Sequence, residues 1–137
     1  MKVFFDTNVY VAEALLGRGA EKMMRATLKG KWRIHVSQYV LDEVQKVLVE
    51  DLNFSRRLAS LARRRILRRS SLSKAIDTSE VPADPKDSPI LSGALTCGAD
   101  YLVNNDKHLL ALDPFHGLRV VSMEAYMRVL ADAGHLQ

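Results

Sequence analysis

The chain has 137 residues and a mass of 15.4 kDa, enough for one domain with a single core and too little for two. Apolar residues make up 47% and charged residues 26%, ordinary values that set aside disordered and fibrous classes. The formal charge is +4, yet seven arginines and one lysine lie between Phe54 and Lys74 with no acid among them, and the remainder is net acidic, with 12 basic residues against 16 acidic.

A mildly acidic body with one basic arm suits an anionic partner, most naturally a nucleic acid; a solvated helix face is the simpler alternative. No apolar run approaches the ~20 residues needed to cross a bilayer. The sequence opens in a strand rather than a signal peptide. The expectation is a cytoplasmic protein without a membrane partner. The lone Cys97 allows neither an internal disulfide nor a cysteine-based zinc site, in keeping with a reducing compartment.

Val3, Phe4 and Phe5 form the unbroken apolar run of a strand buried on both faces, and Asp6, Thr7 and Asn8 follow without a spacer. In an open parallel sheet that is where ligands bind, although Asp6 capping the next helix is an equally simple reading. Helices are expected over 9–16, ended by Gly17 and Gly19, and over 21–29, stopped by Gly30. A second strand over 32–36 leads to Ser37, a good cap for a helix over 38–50. There Val40, Leu41, Val44, Val47 and Leu48 form the packed stripe. Glu43 falls on the flank of that stripe, able to lean toward the sheet edge, whereas Asp42 falls nearly opposite and should face water.

The pattern over 52–72 is helical and cationic. Arg65 falls within its apolar side, so either the helix breaks there or the guanidinium reaches outward. A connecting loop is expected over 75–83. Asp84 is pushed out of helical geometry by Pro85, and Pro89 suits the first turn of a helix that Asp87 or Ser88 opens. Asp87 projects from the centre of that helix's apolar stripe. Tyr101 to Val103 reads as a third strand, ending in Asn104, Asn105 and Asp106. A short helix over 107–112, a fourth strand over 118–121 and a closing helix over 122–133 complete the chain. Strands alternating with helices indicate an α/β fold with a parallel sheet, in one domain spanning 1–137.

Asp6, Glu43, Asp87 and Asp106 are thereby brought toward one edge of the sheet, whereas Asp100, which precedes the third strand, should lie at the opposite edge. Clustered carboxylates raise one another's pKa and usually persist because a cation neutralises them. Oxygen ligands without cysteine or a well-placed histidine select hard ions, so Mg²⁺ or Mn²⁺ is expected rather than Zn²⁺, with one or two ions per site. Phosphodiester hydrolysis follows as the natural reaction class. The arm residues Arg56, Arg57, Arg63, Arg64, Arg65, Arg68 and Arg69 would hold substrate phosphates.

The ordered set of D-T-N after the first strand, the Glu43 helix, D-P-K-D-S-P-I-L, G-A-D-Y-L-V-N-N-D-K-H-L-L and G-L-R-V-V-S resembles a PIN domain across nearly the whole chain. The likeness is greatest to the PIN-family toxins of toxin–antitoxin systems, of which VapC-type ribonucleases are the best known. It implies a three-layer domain with a central parallel sheet of four or five strands flanked by helices. It also implies a metal-dependent endoribonuclease with Asp6, Glu43, Asp87 and Asp106 as the acidic site, and Thr7, Ser37 and Asn104 as polar helpers. A cognate antitoxin and a homodimer are its implied protein partners, and RNA its substrate. Many relatives carry Gly where Asn105 stands and a further acid where His108 stands; Asp84 resembles an extra outer acid. The competing function is a non-catalytic RNA-binding module using the Arg56 to Arg69 arm. A phosphatase with Asp6 as nucleophile would want a second acid at position 8, which is Asn8.

Overall fold

The computed structural model describes residues 1–73 and 88–136, of which Ser88 contributes backbone alone. Asp84, Asp87 and the loop expected over 75–83 lie outside the described residues. Strand β1 (Lys2–Phe5) is the centre of a sheet of five parallel strands ordered β3-β2-β1-β4-β5, with β2 at Arg33–Ser37, β3 at Ser70–Ser73, β4 at Tyr101–Val103 and β5 at Arg119–Val121. Val3, Phe4 and Phe5 have no exposed surface, as a central strand covered on both faces requires. The helices are α1 (Thr7–Leu16), α2 (Arg18–Lys29), α3 (Gln38–Lys46), α4 (Arg56–Arg69), α5 (Ser88–Thr96), α6 (Lys107–Leu110) and α7 (Met123–Asp132). This is the parallel α/β architecture with flanking helices that the sequence pattern predicts.

One strand differs from the reading element by element. The basic helix does not run on to Leu72; it stops at Arg69, and Ser70–Ser73 pair with β2 in register Ile34↔Ser70 to Ser37↔Ser73. Three serines around one exposed leucine carry no apolar alternation, so an edge strand of this kind has no hydrophobic signature to read. The helix from Ser37 also changes character before its expected end, passing from α3 into a π-helical turn over Val47–Asp51.

Chain direction in the sheet is fixed at both edges by backbone and side-chain bonds. At the N-terminal edge the Asp100 carboxylate accepts from the Lys2 backbone N–H at 2.8 Å, as its place before β4 predicts. At the C-terminal edge the Asp6 N–H donates to the Val103 carbonyl at 3.0 Å. The strands leave β1 in two directions, toward β2 and β3 on one side and β4 and β5 on the other. The ends of β1 and β4 therefore flank the switch point where an open parallel sheet forms its crevice.

Helix α5 lies against β1 at a close approach that only glycine allows. A Cβ at Gly93 would stand 2.9 Å from Phe4 Cζ and 3.4 Å from Ser37 Cβ. Phe4 is fully buried and has nowhere to retreat. Gly93→Ala is expected to destabilise the fold by about 1–3 kcal/mol through overpacking, despite the better helix propensity of alanine. Urea unfolding should show a lower midpoint at unchanged slope.

Among the described residues no helix is long and apolar enough to cross a membrane. The histidines divide otherwise than by simple exposure. His35 is half-buried, its Nδ1 3.2 Å from Ser73 Oγ, and burial followed by the Lys2 and Arg33 charges holds its pKa low. His108 and His116 are exposed, whereas His135 packs edge-on to Trp32 with ring centroids 5.0 Å apart. Leu130 is core.

Candidate active site

Three of the four acids expected to converge wall one cavity of about 420 Å³ at the C-terminal edge of the sheet: Asp6, Glu43 and Asp106. Thr7, Asn8 and Lys46 share its wall. Asp87, the fourth, is outside the described residues.

Asp6 combines the two roles that its position after a strand suggested. It caps α1, its Oδ1 accepting from the Thr7 N–H at 2.6 Å, and it faces the cavity with only 7% of its surface exposed. The cap fixes the carboxylate's orientation. Thr7 Oγ1, on the same wall, is buried without a hydrogen-bond partner among the described residues.

Asp106 is held by the chain immediately before it. The fully buried Asn104 donates its backbone N–H to the Val121 carbonyl at 3.0 Å and accepts the Asp106 N–H on Oδ1 at 2.8 Å. Asp106 Oδ1 then accepts from the His108 N–H at 2.8 Å, capping α6. Asn104 is not among the residues lining the cavity, and its Nδ2 has no partner among the described residues.

Glu43 reaches the cavity because α3 starts in a fixed place. Ser37 is fully buried, and its Oγ accepts from the Val40 N–H at 3.2 Å, which sets the rotation of the helix. Tyr39, Glu43 and Lys46, three and four residues apart, then line the same cavity. Asp42 points away as its angle predicts, exposed and bound to Gln38 Nε2 at 2.9 Å and Arg63 Nη1 at 3.0 Å. Ser37 is thus a cap, not a lining residue. Sequence reasoning missed Tyr39 and Lys46; one turn either side of Glu43, both were available from the same helical-wheel argument that selected it.

The donors fit a hard divalent ion in kind: carboxylate oxygens from three separate elements, a buried hydroxyl without a partner, and neither thiol nor imidazole on the wall. Among the described residues no three acidic, histidine or cysteine side chains gather closely enough to chelate an ion by themselves. The acids are distributed over the cavity wall, more widely than the sequence alone suggested.

The arginine arm is more committed to the fold than its composition implied. Arg69 Nη1 and Nη2 donate to Glu13 Oε2 and Oε1 at 2.7 and 2.6 Å, a two-pronged pair whose carboxylate side chain is 5% exposed. Burial opposes the charge on Arg69, and the hydrogen bonds to Glu13 outweigh it, so its pKa lies above the ordinary value. Arg65 lies 3.6 Å from Glu13 and 3.7 Å from Glu21, so α4 continues through it and the guanidinium extends across to α1 and α2. Arg63 bonds Asp42 and Gln45. Arg56, Arg57, Arg64 and Arg68 are exposed and have no ion pair among the described residues.

A parallel α/β sheet with an acid-walled crevice at its switch point defines the class of fold. The PIN domain family profile matches residues 2–108, and the chain belongs to that family. No curated protein sequence matches it. Among solved structures it is similar to VapBC2 from Rickettsia felis, bound to a DNA fragment from their promoter, at TM-score 0.66 and 17% identity over 89% of this chain and 98% of that one. PAE2754 from Pyrobaculum aerophilum is similar at TM-score 0.65 and 18% identity, over 96% of this chain and 90% of that one. VapC20 from Mycobacterium tuberculosis, a sarcin-ricin loop cleaving toxin, is similar at TM-score 0.60 and 14% identity, over 85% and 98%. At these identities the likeness is one of fold.

Proposed function

We propose that the protein is a metal-dependent endoribonuclease and the toxin of a toxin–antitoxin pair. The observation that carries the reading is the single cavity walled by Asp6, Glu43 and Asp106, acids drawn from three separate elements onto the edge where a parallel sheet binds ligands. Membership of the PIN domain family and similarity in fold to VapC20 and VapBC2 support it.

Asp6, Glu43 and Asp106, with Asp87, would hold Mg²⁺ or Mn²⁺. Such an ion polarises a phosphoryl oxygen and acidifies bound water. The chain's own residues do the positioning. The Thr7 N–H holds Asp6 in one orientation, and Asn104 holds the backbone that carries Asp106. Lys46 supplies a positive charge on an otherwise acidic wall, where an incoming phosphodiester needs one. The exposed Arg56, Arg57, Arg64 and Arg68 give RNA a sequence-independent electrostatic footing. A protein antitoxin and a second copy of the chain are the partners this reading carries with it, and the cytoplasm is its compartment.

Incubation of the purified protein with end-labelled RNA tests the activity. Cleavage is expected with Mn²⁺ or Mg²⁺ and none with EDTA. Cleavage that persists in EDTA would remove the basis for the acidic site.

A further inference from the structure

A second cavity, of about 450 Å³, adjoins the first, and Lys46 belongs to the wall of both. Its other walls are Gln45, Val49, Glu50 and Arg56. Lys46 and Arg56 are exposed, and neither has an ion pair or hydrogen bond to an acid among the described residues. That separates them from the other end of the arm, where Arg63, Arg65 and Arg69 are engaged by Asp42, Glu13 and Glu21.

We propose that Lys46 and Arg56 mark the path by which an RNA strand leaves the acidic cavity, Lys46 holding the phosphate next to the one being cut and Arg56 a phosphate further along. This deepens the ribonuclease reading and rests on it. The argument is electrostatic. A phosphate brought against three carboxylates is repelled, and a cation on the wall that the two cavities share reduces the repulsion where they meet. Lys46 stands there, and the wall of the second cavity sets two cations, Lys46 itself and Arg56, against the single carboxylate of Glu50. A compact ammonium on a flexible stem and a planar guanidinium both suit phosphate oxygens, and Gln45 adds an amide without charge. The strand is thereby directed toward the start of α4, while Arg63, Arg65 and Arg69 serve the fold.

The test is binding of a fluorescein-labelled single-stranded RNA, read by anisotropy in EDTA across a salt series, for the wild type, Lys46→Gln, Arg56→Gln and the double variant. Arg128→Gln, which removes an exposed charge from α7, is the control. Each path substitution is expected to reduce the slope of log K against log salt by about 0.7, the double variant by about twice that, and the control by nothing. Slopes unchanged in both single variants would overturn the path. Cleavage of the same RNA in Mn²⁺ is measured in parallel. A protein that cuts RNA with unchanged slopes keeps its hydrolytic function and loses this path. A protein that loses slope as stated but never cuts keeps the path and loses the ribonuclease reading. A wild type that binds no RNA overturns both.

Discussion

Asp6→Asn is expected to lower RNA cleavage by roughly 10²–10⁴-fold, the equivalent of about 3–5 kcal/mol of transition-state stabilisation. The substitution separates chemistry from folding. Asn accepts the Thr7 N–H as Asp does and is an equally good helix cap, so α1 should start unchanged. It removes one of the three carboxylates that the described residues place on the cavity wall, which eases mutual repulsion. Thermal stability should therefore stay level or rise while turnover collapses, and circular dichroism melting alongside the cleavage assay reads both. A variant that loses turnover and stability together would assign Asp6 to the fold rather than to the site.

Glu13→Ala should give the reverse pattern. Glu13 lies on α1 and is 6% exposed; its carboxylate takes both terminal nitrogens of Arg69, whose own side chain is 16% exposed. Removing the acid leaves a half-buried guanidinium without its hydrogen-bonded partner, a loss of about 2–4 kcal/mol. Arg65, half exposed, can turn toward water and limits none of that cost. The expected result is a large drop in the urea midpoint. Replacement of both Glu13 and Arg69 by apolar residues of similar volume should recover much of it, because the cost lies in the orphaned charge rather than in the loss of an attractive pair. Recovery would place the last arginine of the arm in the architecture. A wild-type midpoint in Glu13→Ala would show that the pair contributes little.

These two substitutions mark what the sequence could and could not disclose. Asp6 was legible because a buried strand ending abruptly on a carboxylate is a local event. Glu43 and Asp42 were separable because helix geometry turns adjacent residues by a fixed angle. Asp100 was assigned to the far edge on chain direction alone, and its bond to Lys2 bears that out. The engagement of Arg63, Arg65 and Arg69 is not legible because composition counts charges without their partners: Glu13 is 56 positions from Arg69, and no local pattern joins them. β3 was missed for a related reason. Its strand character comes from β2 lying alongside, since Ser70, Ser71, Leu72 and Ser73 have no periodicity of their own. Lys46, by contrast, is legible one turn beyond Glu43 from the same helical spacing.

The most direct test of the central claim, that Asp6, Glu43 and Asp106 contribute, with Asp87, to one site for a divalent ion, is calorimetric titration of Mn²⁺ into the wild type and into Asp6→Asn, Glu43→Gln and Asp106→Asn. The account expects saturable binding in the wild type, weakened in every one of the three variants, with Asp42→Asn, whose side chain faces water and Arg63, binding as the wild type does. Mn²⁺ affinity indifferent to all three substitutions would contradict it.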